Sequence, residues 1–448
     1  MNIAFVCTAE FEPFFYQCLA DNIKKEKVNT FYAGFLIDTR RAIEKIKQQP
    51  YPLKLNFKDF FKYRLRDSSF SRRQLQDIVS YDFSRLSRDG FKVNREKIIK
   101  KAIYYEKFFD GFYHRFNIKA VVVWNYFPTM VAAARLVAKR KRIGVIHLEN
   151  GPLKNTLMLD KEGVNFQSSL SGKSKDFYLN QKKLNREQKD YKFYKPACGC
   201  QAIAVNKGIM NPVKKMFYAI LMRNFIYRRF FPELTDDRLL DSLAKKIYRF
   251  FLLPDKVKLP DKFIFLPLQY SYDTQVLVNS PWIKDMPSFI QVCYRAVKEA
   301  ARDCSVVVKE HPDDFGRKDY SWLKKKYPEI IWLKKYDIKK VLKNSSAVIT
   351  INSSVGVEAL AEDKPVIVLG NSFYDLDGVV YKAASLDSLK EAVKAALGRE
   401  LNKELIDKFL YYLRFNYLVE GNPRRCDRYS LAAASGRLEQ LLKTGESR

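Results

Sequence analysis

No window of this 448-residue chain holds the roughly 18 uninterrupted apolar residues that a membrane-crossing helix needs, so no transmembrane helix is expected. The opening MNIAFVCTAEFEP has neither a basic leader nor a long apolar core; it reads as a strand and a turn, not as a signal peptide. Cysteine forms no framework. The seven are Cys7, Cys18, Cys198, Cys200, Cys293, Cys304 and Cys426, and only Cys198 and Cys200 are close. Cys-Gly-Cys is neither a zinc knuckle nor a redox CxxC, and an odd, scattered set fits a reducing cytosol. Acids are in short supply: 50 Asp and Glu against 81 Lys and Arg give a net charge of +31. Such an excess points to a polyanionic partner: nucleic acid, an anionic membrane surface, or acidic sugar and phosphate substrates. No RRM, KH, zinc-finger or helix-turn-helix pattern accompanies the charge, which is spread through helices, so nucleic acid is not the expected partner. Internal repeats beyond the αβ unit and low-complexity runs are also missing. What is present is 47% hydrophobic residues, enough for two domains with a core each.

The most informative stretch runs from Val306 to Leu369. Val306–Val308 is short, apolar and β-branched, and reads as a buried strand. It ends at Lys309-Glu310-His311-Pro312, where proline blocks continuation of the ladder. Ala347–Ile351 is a second strand, stopping at Asn352-Ser353-Ser354; a helix over Val355–Ala361 and a strand over Pro365–Leu369 follow. Alternating strand and helix predict a parallel sheet with ligands at the carboxyl ends of its strands. A serine before a helix is commonly only a cap. Here Asn352, Ser353 and Ser354 come with Lys309 and His311 on a neighbouring strand end, and the combination predicts an anion site for a nucleotide-sugar phosphate.

Along the chain, strands are expected at Ile3–Cys7, Val28–Gly34, Ala120–Trp124, Gly144–Leu148 and Phe263–Leu266. Helices are expected at Phe11–Leu19, Pro128–Lys139, Ser288–Ala301, Ser385–Leu397, Leu401–Leu418 and Asp427–Lys443. From Tyr51 to Lys101 the chain reads as a solvated, charged helical face. Lys139-Arg140-Lys141-Arg142 suits a helix C-terminus. Leu157–Leu170 reads as a polar loop. Residues 191–258 hold fourteen Lys and Arg against five Asp and Glu. Within them Val213–Phe231 mixes aromatic, apolar and basic side chains without an acid, the make-up of an interfacial amphipathic helix or of a core helix with a basic rim. Leu253–Pro260 reads as the interdomain linker. The fold class is therefore α/β, with two Rossmann-like doubly wound domains facing a cleft. The expected divisions are an N-terminal acceptor domain over 1–258 with a basic insertion near 191–258, a C-terminal nucleotide-sugar domain over 259–398, and helices over 399–448 packing back across both.

Four strand ends are expected to line the cleft: Glu149-Asn150-Gly151, Gln269 to Asp273, Lys309 to His311, and Asn352-Ser353-Ser354. Asp273 lies in an aromatic loop and suits attack on an anomeric carbon. Glu149 suits moving a proton on or off a hydroxyl. Retaining glycosyl transfer by double displacement needs two such carboxylates. Lys309, His311 and the serines would stabilise a departing nucleotide phosphate.

These segments also carry a resemblance. Pro13-Phe14-Phe15, Glu149-Asn150-Gly151, Gly163-Val164-Asn165 with Ser168 or Ser169, Pro267 to Leu277, Lys309 to Pro312 and Asn352 to Leu360 occur in the order of the capsule polysaccharide biosynthesis family. The chain resembles the retaining β-Kdo transferases of that family, which have the two-Rossmann GT-B fold, and most of all the branch that adds the first Kdo to a phosphatidylglycerol-type anchor. The resemblance implies a CMP-Kdo donor, Asp273 as covalent nucleophile and Glu149 as acid/base. It implies Gln269, Lys309, His311, Pro312, Asn352, Ser353 and Ser354 around the cytidylate, Glu358 at the ribose, and Asn150, Gly151 and Asn165 in an acceptor or donor loop. No metal or other cofactor is implied. It further implies a lipid or polysaccharide acceptor and work at the cytoplasmic face of the membrane, in or near a capsule biosynthesis or export complex. The chain departs from the family pattern at Pro152-Leu153-Lys154 and in the acidic CTAEFEPFF, both expected on the acceptor side. Bacterial sialyltransferases share the His-Pro and Ser-Ser pair, so another CMP-sugar transferase is the alternative, ahead of a basic nucleic-acid-binding protein or a non-catalytic export-complex protein.

Overall fold

The computed structural model describes residues 1–23, 28–54, 56–88, 93–184, 248, 251–315, 318–398, 401–424 and 428–443. The segment Val213–Phe231, expected to be amphipathic, lies outside them, as does most of 191–258. The strands in chain order are β1 (Asn2–Cys7), β2 (Asn29–Gly34), β3 (Ala120–Trp124), β4 (Gly144–Asn150) and β5 (Thr156–Asp160), then β6 (Phe263–Pro267), β7 (Ser305–Lys309), β8 (Ile331–Leu333), β9 (Ala347–Thr350), β10 (Val366–Val368), β11 (Tyr381–Lys382) and β12 (Val419–Glu420). Two units result. Met1–Ser169 and the described residues from Tyr417 onward form one; residues 170–184 and those from 248 to Asn416 form the other.

The first unit is built on a sheet of order β12-β5-β4-β3-β1-β2. β1 to β4 run parallel, while β5 turns back antiparallel to β4 and β12 pairs antiparallel to β5. Alternation along β1 sends Ile3, Phe5 and Cys7 to one face and Ala4 and Val6 to the other, as the two-residue period of a strand dictates. The first face packs on helices Glu12–Asp21 and Arg428–Lys443; the second meets helices Arg72–Arg88, Arg95–Arg115 and Thr129–Arg140. Being covered on both faces explains why β3 is apolar at every position.

Two expectations need correction here. The region read as a solvated helical face is core. Helix Arg72–Arg88 buries Leu75, Ile78, Val79 and Leu86, and helix Arg95–Arg115 buries Ile98, Ile103, Tyr105, Phe109 and Phe112. Most of the charges ride on the opposite faces of these amphipathic helices, while Asp82, Arg85, Lys101 and Glu106 are buried beside the apolar stripe. The loop expected over Leu157–Leu170 begins as a strand, because TLMLD is buried throughout between β4 and β12. The basic cluster at 139–142 has local partners, as a helix end would supply: Arg140 pairs with Glu106 and Asp110 at 2.9 Å each, and Lys141 with Asp110.

The second unit carries the order β11-β10-β9-β6-β7-β8, all parallel. In chain order this is the 3-2-1-4-5-6 arrangement of a dinucleotide-type Rossmann sheet. Its core joins Ile264, Leu266, Val306, Val308 and Ile349 to helices Met286–Ala300 and Leu386–Gly398. The stretch expected as a linker has no regular structure, and Asp255 fastens it down: its Oδ2 accepts from the Lys334 amide at 2.8 Å and its amide donates to the Lys335 carbonyl at 3.2 Å. The C-terminal segment divides at Tyr417: helix Lys403–Tyr411 belongs to the second unit, whereas β12 and helix Arg428–Lys443 complete the first. The fold class is α/β with two parallel-rich, doubly wound sheets, the pair on which a GT-B-like fold is built.

Candidate functional site

In the second sheet the chain moves outward from β6 through β7 to β8, and in the opposite direction from β9 through β10 to β11. The β6–β9 boundary is thus the topological switch point, where crossovers diverge and leave a crevice at the strand ends. Gln269 follows β6 there, and Asn352 follows β9. Their side chains interlock: Gln269 Nε2 donates to Asn352 Oδ1 at 3.0 Å, and Gln269 Oε1 accepts from the Asn352 amide at 3.1 Å. Asn352 Nδ2 donates to the carbonyls of Gln275 and Asn371 at 3.0 and 3.1 Å. Both residues are buried, and these bonds fix the rim of the crevice. Replacing Asn352 with Ala leaves several buried groups unpaired, each costing about 1–3 kcal/mol. The expected result is a drop of about 3 kcal/mol in the stability of the second unit, read as a lower urea midpoint; an unchanged midpoint would contradict this role.

Asp273 sits at the end of the loop leaving β6. It is half-buried, and its Oδ1 accepts from the Gln275 amide at 3.0 Å and the Thr274 hydroxyl at 3.1 Å, capping helix Thr274–Leu277. Burial pushes its carboxyl above the usual aspartate range; those bonds and the nearby His311 pull the other way. His311 follows β7 and opens the short 3-10 turn Pro312–Asp314. Its Nδ1 accepts from the Asp313 amide at 3.1 Å, which assigns the proton of the neutral ring to Nε2. Pro312, at the first position of the turn, is exposed.

Ser353 Oγ accepts from the Val355 amide, its amide donates to Thr350 Oγ1, and its carbonyl accepts from the Tyr374 hydroxyl at 2.5 Å. That tyrosine passes so close to Gly356 that a β-carbon there would meet its ring, so glycine is required. Ser354 is exposed at the start of helix Val355–Ala361, and Glu358 lies in its first turn. Lys309 is placed differently from its neighbours. Its Nζ donates to the Lys334 carbonyl beyond β8, on the side of β7 away from the switch point, and burial lowers its proton affinity.

In the first unit Glu149 and Asn150 end β4, and Glu149 Oε1 accepts from the Asn150 amide at 2.9 Å. Gly151 begins the turn into β5, donating from its amide to the Thr156 carbonyl, with no room for a side chain against Thr156. Asn165 adopts a left-handed φ of 54° and opens a 3-10 turn. Sequence reasoning did not single out Glu12. It lies where β1 ends, at this sheet's own switch point between β1 and β3, and is 1% exposed. The Thr8 amide and hydroxyl donate to its two oxygens at 2.6 and 2.7 Å. Burial, helped by the charge of Glu149, pushes Glu12 up to about 7 against those bonds. Among the described residues no cluster of three or more His, Cys, Asp or Glu could hold a metal, and no helix is long and apolar enough to cross a membrane.

The family model described as "capsule polysaccharide biosynthesis protein" matches residues 119–421, more than half of the chain. The chain belongs to that family. Among its curated relatives is protein FixF of Sinorhizobium fredii, 33% identical over 166 residues, which are 37% of this chain and 40% of FixF. Another is the capsule polysaccharide export protein KpsS of Escherichia coli, 30% identical over 133 residues, 28% of this chain and 34% of KpsS. The matched region thus spans well under half the length of either. Among solved structures the chain is similar to Thermosulfurimonas dismutans KpsC, a β-Kdo 2,7 transferase, at 15% identity and TM-score 0.34, covering 85% of this chain and 98% of that one.

Proposed function

We propose that this member of the capsule polysaccharide biosynthesis family is a retaining glycosyltransferase that moves Kdo from CMP-Kdo to a lipid or glycan acceptor. The observation that carries the reading is Asp273: a half-buried carboxylate on the loop leaving the switch-point strand β6, with His311 near enough to act on its charge. Both of its hydrogen bonds go to Oδ1, and among the described residues none goes to Oδ2. In the first step Oδ2 attacks the anomeric carbon while the bond from that carbon to the phosphate oxygen breaks, and CMP leaves with the electron pair. His311 Nε2–H, Ser353 and Ser354 receive the phosphate charge. In the second step the acceptor hydroxyl gives its proton to Glu149 and its oxygen displaces Asp273, which departs as a carboxylate. Two inversions restore the original configuration. The scheme uses no metal. Gln269 and Asn352 shape the crevice, and Glu358, Asn150, Gly151 and Asn165 complete the donor and acceptor contacts. The basic stretch Val213–Phe231 would meet anionic lipid at the cytoplasmic face, near other capsule biosynthesis or export proteins.

The test is intact-mass analysis of Glu149→Gln incubated with CMP-Kdo, alongside other CMP-sugars. A mass increase of one Kdo is expected, because the first step needs no acid/base and the second is slowed. Absence of any adduct, together with full activity in Asp273→Ala, would end this mechanism.

A further inference from the structure

Asp314 is a buried acid that the proposed chemistry does not use, only 3% exposed, whereas its neighbour Asp313 is exposed. The 3-10 turn Pro312–Asp314 is capped by His311, so its own geometry needs no carboxylate at 314. Burying one costs free energy unless donors meet it. Among the described residues, donors come from the other loop: the Ser271 hydroxyl at 2.7 Å and the Ser271 amide at 3.1 Å, both to Asp314 Oδ2. Ser271 stands two residues before Asp273, inside a turn that the Asp273 amide closes onto the Tyr270 carbonyl at 3.0 Å. The Tyr270 ring adds a second link, lying 6.1 Å from the His311 ring, centroid to centroid.

We infer that Asp314 is a positioning residue: its carboxylate clamps the Asp273 loop to the His311 turn, so that the attacking and leaving-group sides of the donor site keep one fixed spacing. The inference rests on the reading of Asp273 as nucleophile and His311 as phosphate ligand. One turn of 3-10 helix then does two things. Its first end orients His311 through the Asp313 amide, and its last residue grips the nucleophile's loop. Without the clamp both loops remain, but the in-line approach that a displacement needs is no longer held.

The experiment measures single-turnover adduct formation from CMP-Kdo in the Glu149→Gln background, with CMP binding followed by calorimetry. Adding Asp314→Ala is expected to slow adduct formation about 100-fold, the effect of a misplacement near 1 Å, while CMP affinity changes less than about threefold. Asp314→Asn, which keeps an acceptor for Ser271, should recover most of the rate. A general loosening of the fold would instead weaken CMP binding and lower the melting temperature in parallel, and would overturn the inference. So would an unchanged rate in Asp314→Ala. Should that variant fail to fold, Ser271→Ala decides: it removes the hydroxyl bond alone and is expected to slow the step about tenfold, and an unaltered rate refutes the clamp. If Glu149→Gln itself forms no adduct, the underlying mechanism fails and the clamp with it, a result distinct from an adduct that forms regardless of Asp314.

Discussion

Asp273→Asn is expected to remove sugar transfer by about 10⁴-fold or more while leaving the protein folded. The substitution separates the cap that this side chain makes from the attack proposed for it. As the N-cap of helix Thr274–Leu277, Asp273 accepts a backbone amide through Oδ1, and asparagine caps nearly as well. As a nucleophile it needs a carboxylate oxygen, which an amide does not supply. Asp273→Ala should lose activity to the same extent and also about 1 kcal/mol of stability from the missing cap. The pH dependence points the same way. Burial raises the Asp273 carboxyl above its ordinary range, and attack requires the ionised form. The acid limb of the rate of adduct formation should therefore fall at a higher pH than an exposed aspartate would give. Melting curves and initial rates measured on the same preparations check both points. An asparagine variant retaining a tenth of the wild-type rate would show that Asp273 is only a cap.

The strand ends were legible because their signals are local. Val306–Val308 and Ala347–Ile351 are β-branched runs stopped by proline or by a serine cluster, and β7 and β9 lie there. The pairing of those strands is not local, and no run of residues announces it. β8 is three residues long and β12 two, and β12 reaches its sheet from the far end of the chain. Gln269 and Asn352 could be picked out as polar residues at strand ends, but that they bind each other across the switch point depends on β6 and β9 being neighbours. Lys309 shows the same limit: its place on the strand was readable, whereas the direction of its ammonium, toward Lys334, was not. In the helices over 72–115 the buried stripe Leu75, Ile78, Val79, Asp82 and Leu86 has helical spacing but is diluted by Arg and Gln. Charge density hid a core face there. Asp82 even turns inward to accept from the Thr129 amide at 2.7 Å, satisfying the start of the next helix.

Glu12 was invisible for a related reason. In CTAEFEPFF nothing separates Glu10 from Glu12, yet the first is exposed and the second is 1% exposed. The helix starting at Glu12 turns that side chain back onto Thr8 at the end of β1. The consequence is a measurable pH dependence of the first unit's stability. Glu12 titrates near 4.5 when unfolded and at about 7 when folded, chiefly because burial disfavours its charged form. Between those values the folded chain holds a proton that the unfolded chain has released, so stability falls as pH rises, by about 1.4 kcal/mol per pH unit. The contribution is complete below 4.5 and gone above 7, a change of about 3 kcal/mol in all. Glu12→Gln removes the titration. Its carbonyl oxygen can accept from the Thr8 amide, and its amide can donate to the Thr8 hydroxyl, which rotates to accept. The variant should match the wild type near pH 4.5 and exceed it at pH 8 by up to about 3 kcal/mol, in urea unfolding curves recorded at half-unit steps of pH. Parallel curves for the two proteins across that range would mean that Glu12 is ionised in the folded state at neutral pH, with the Thr8 bonds outweighing its burial.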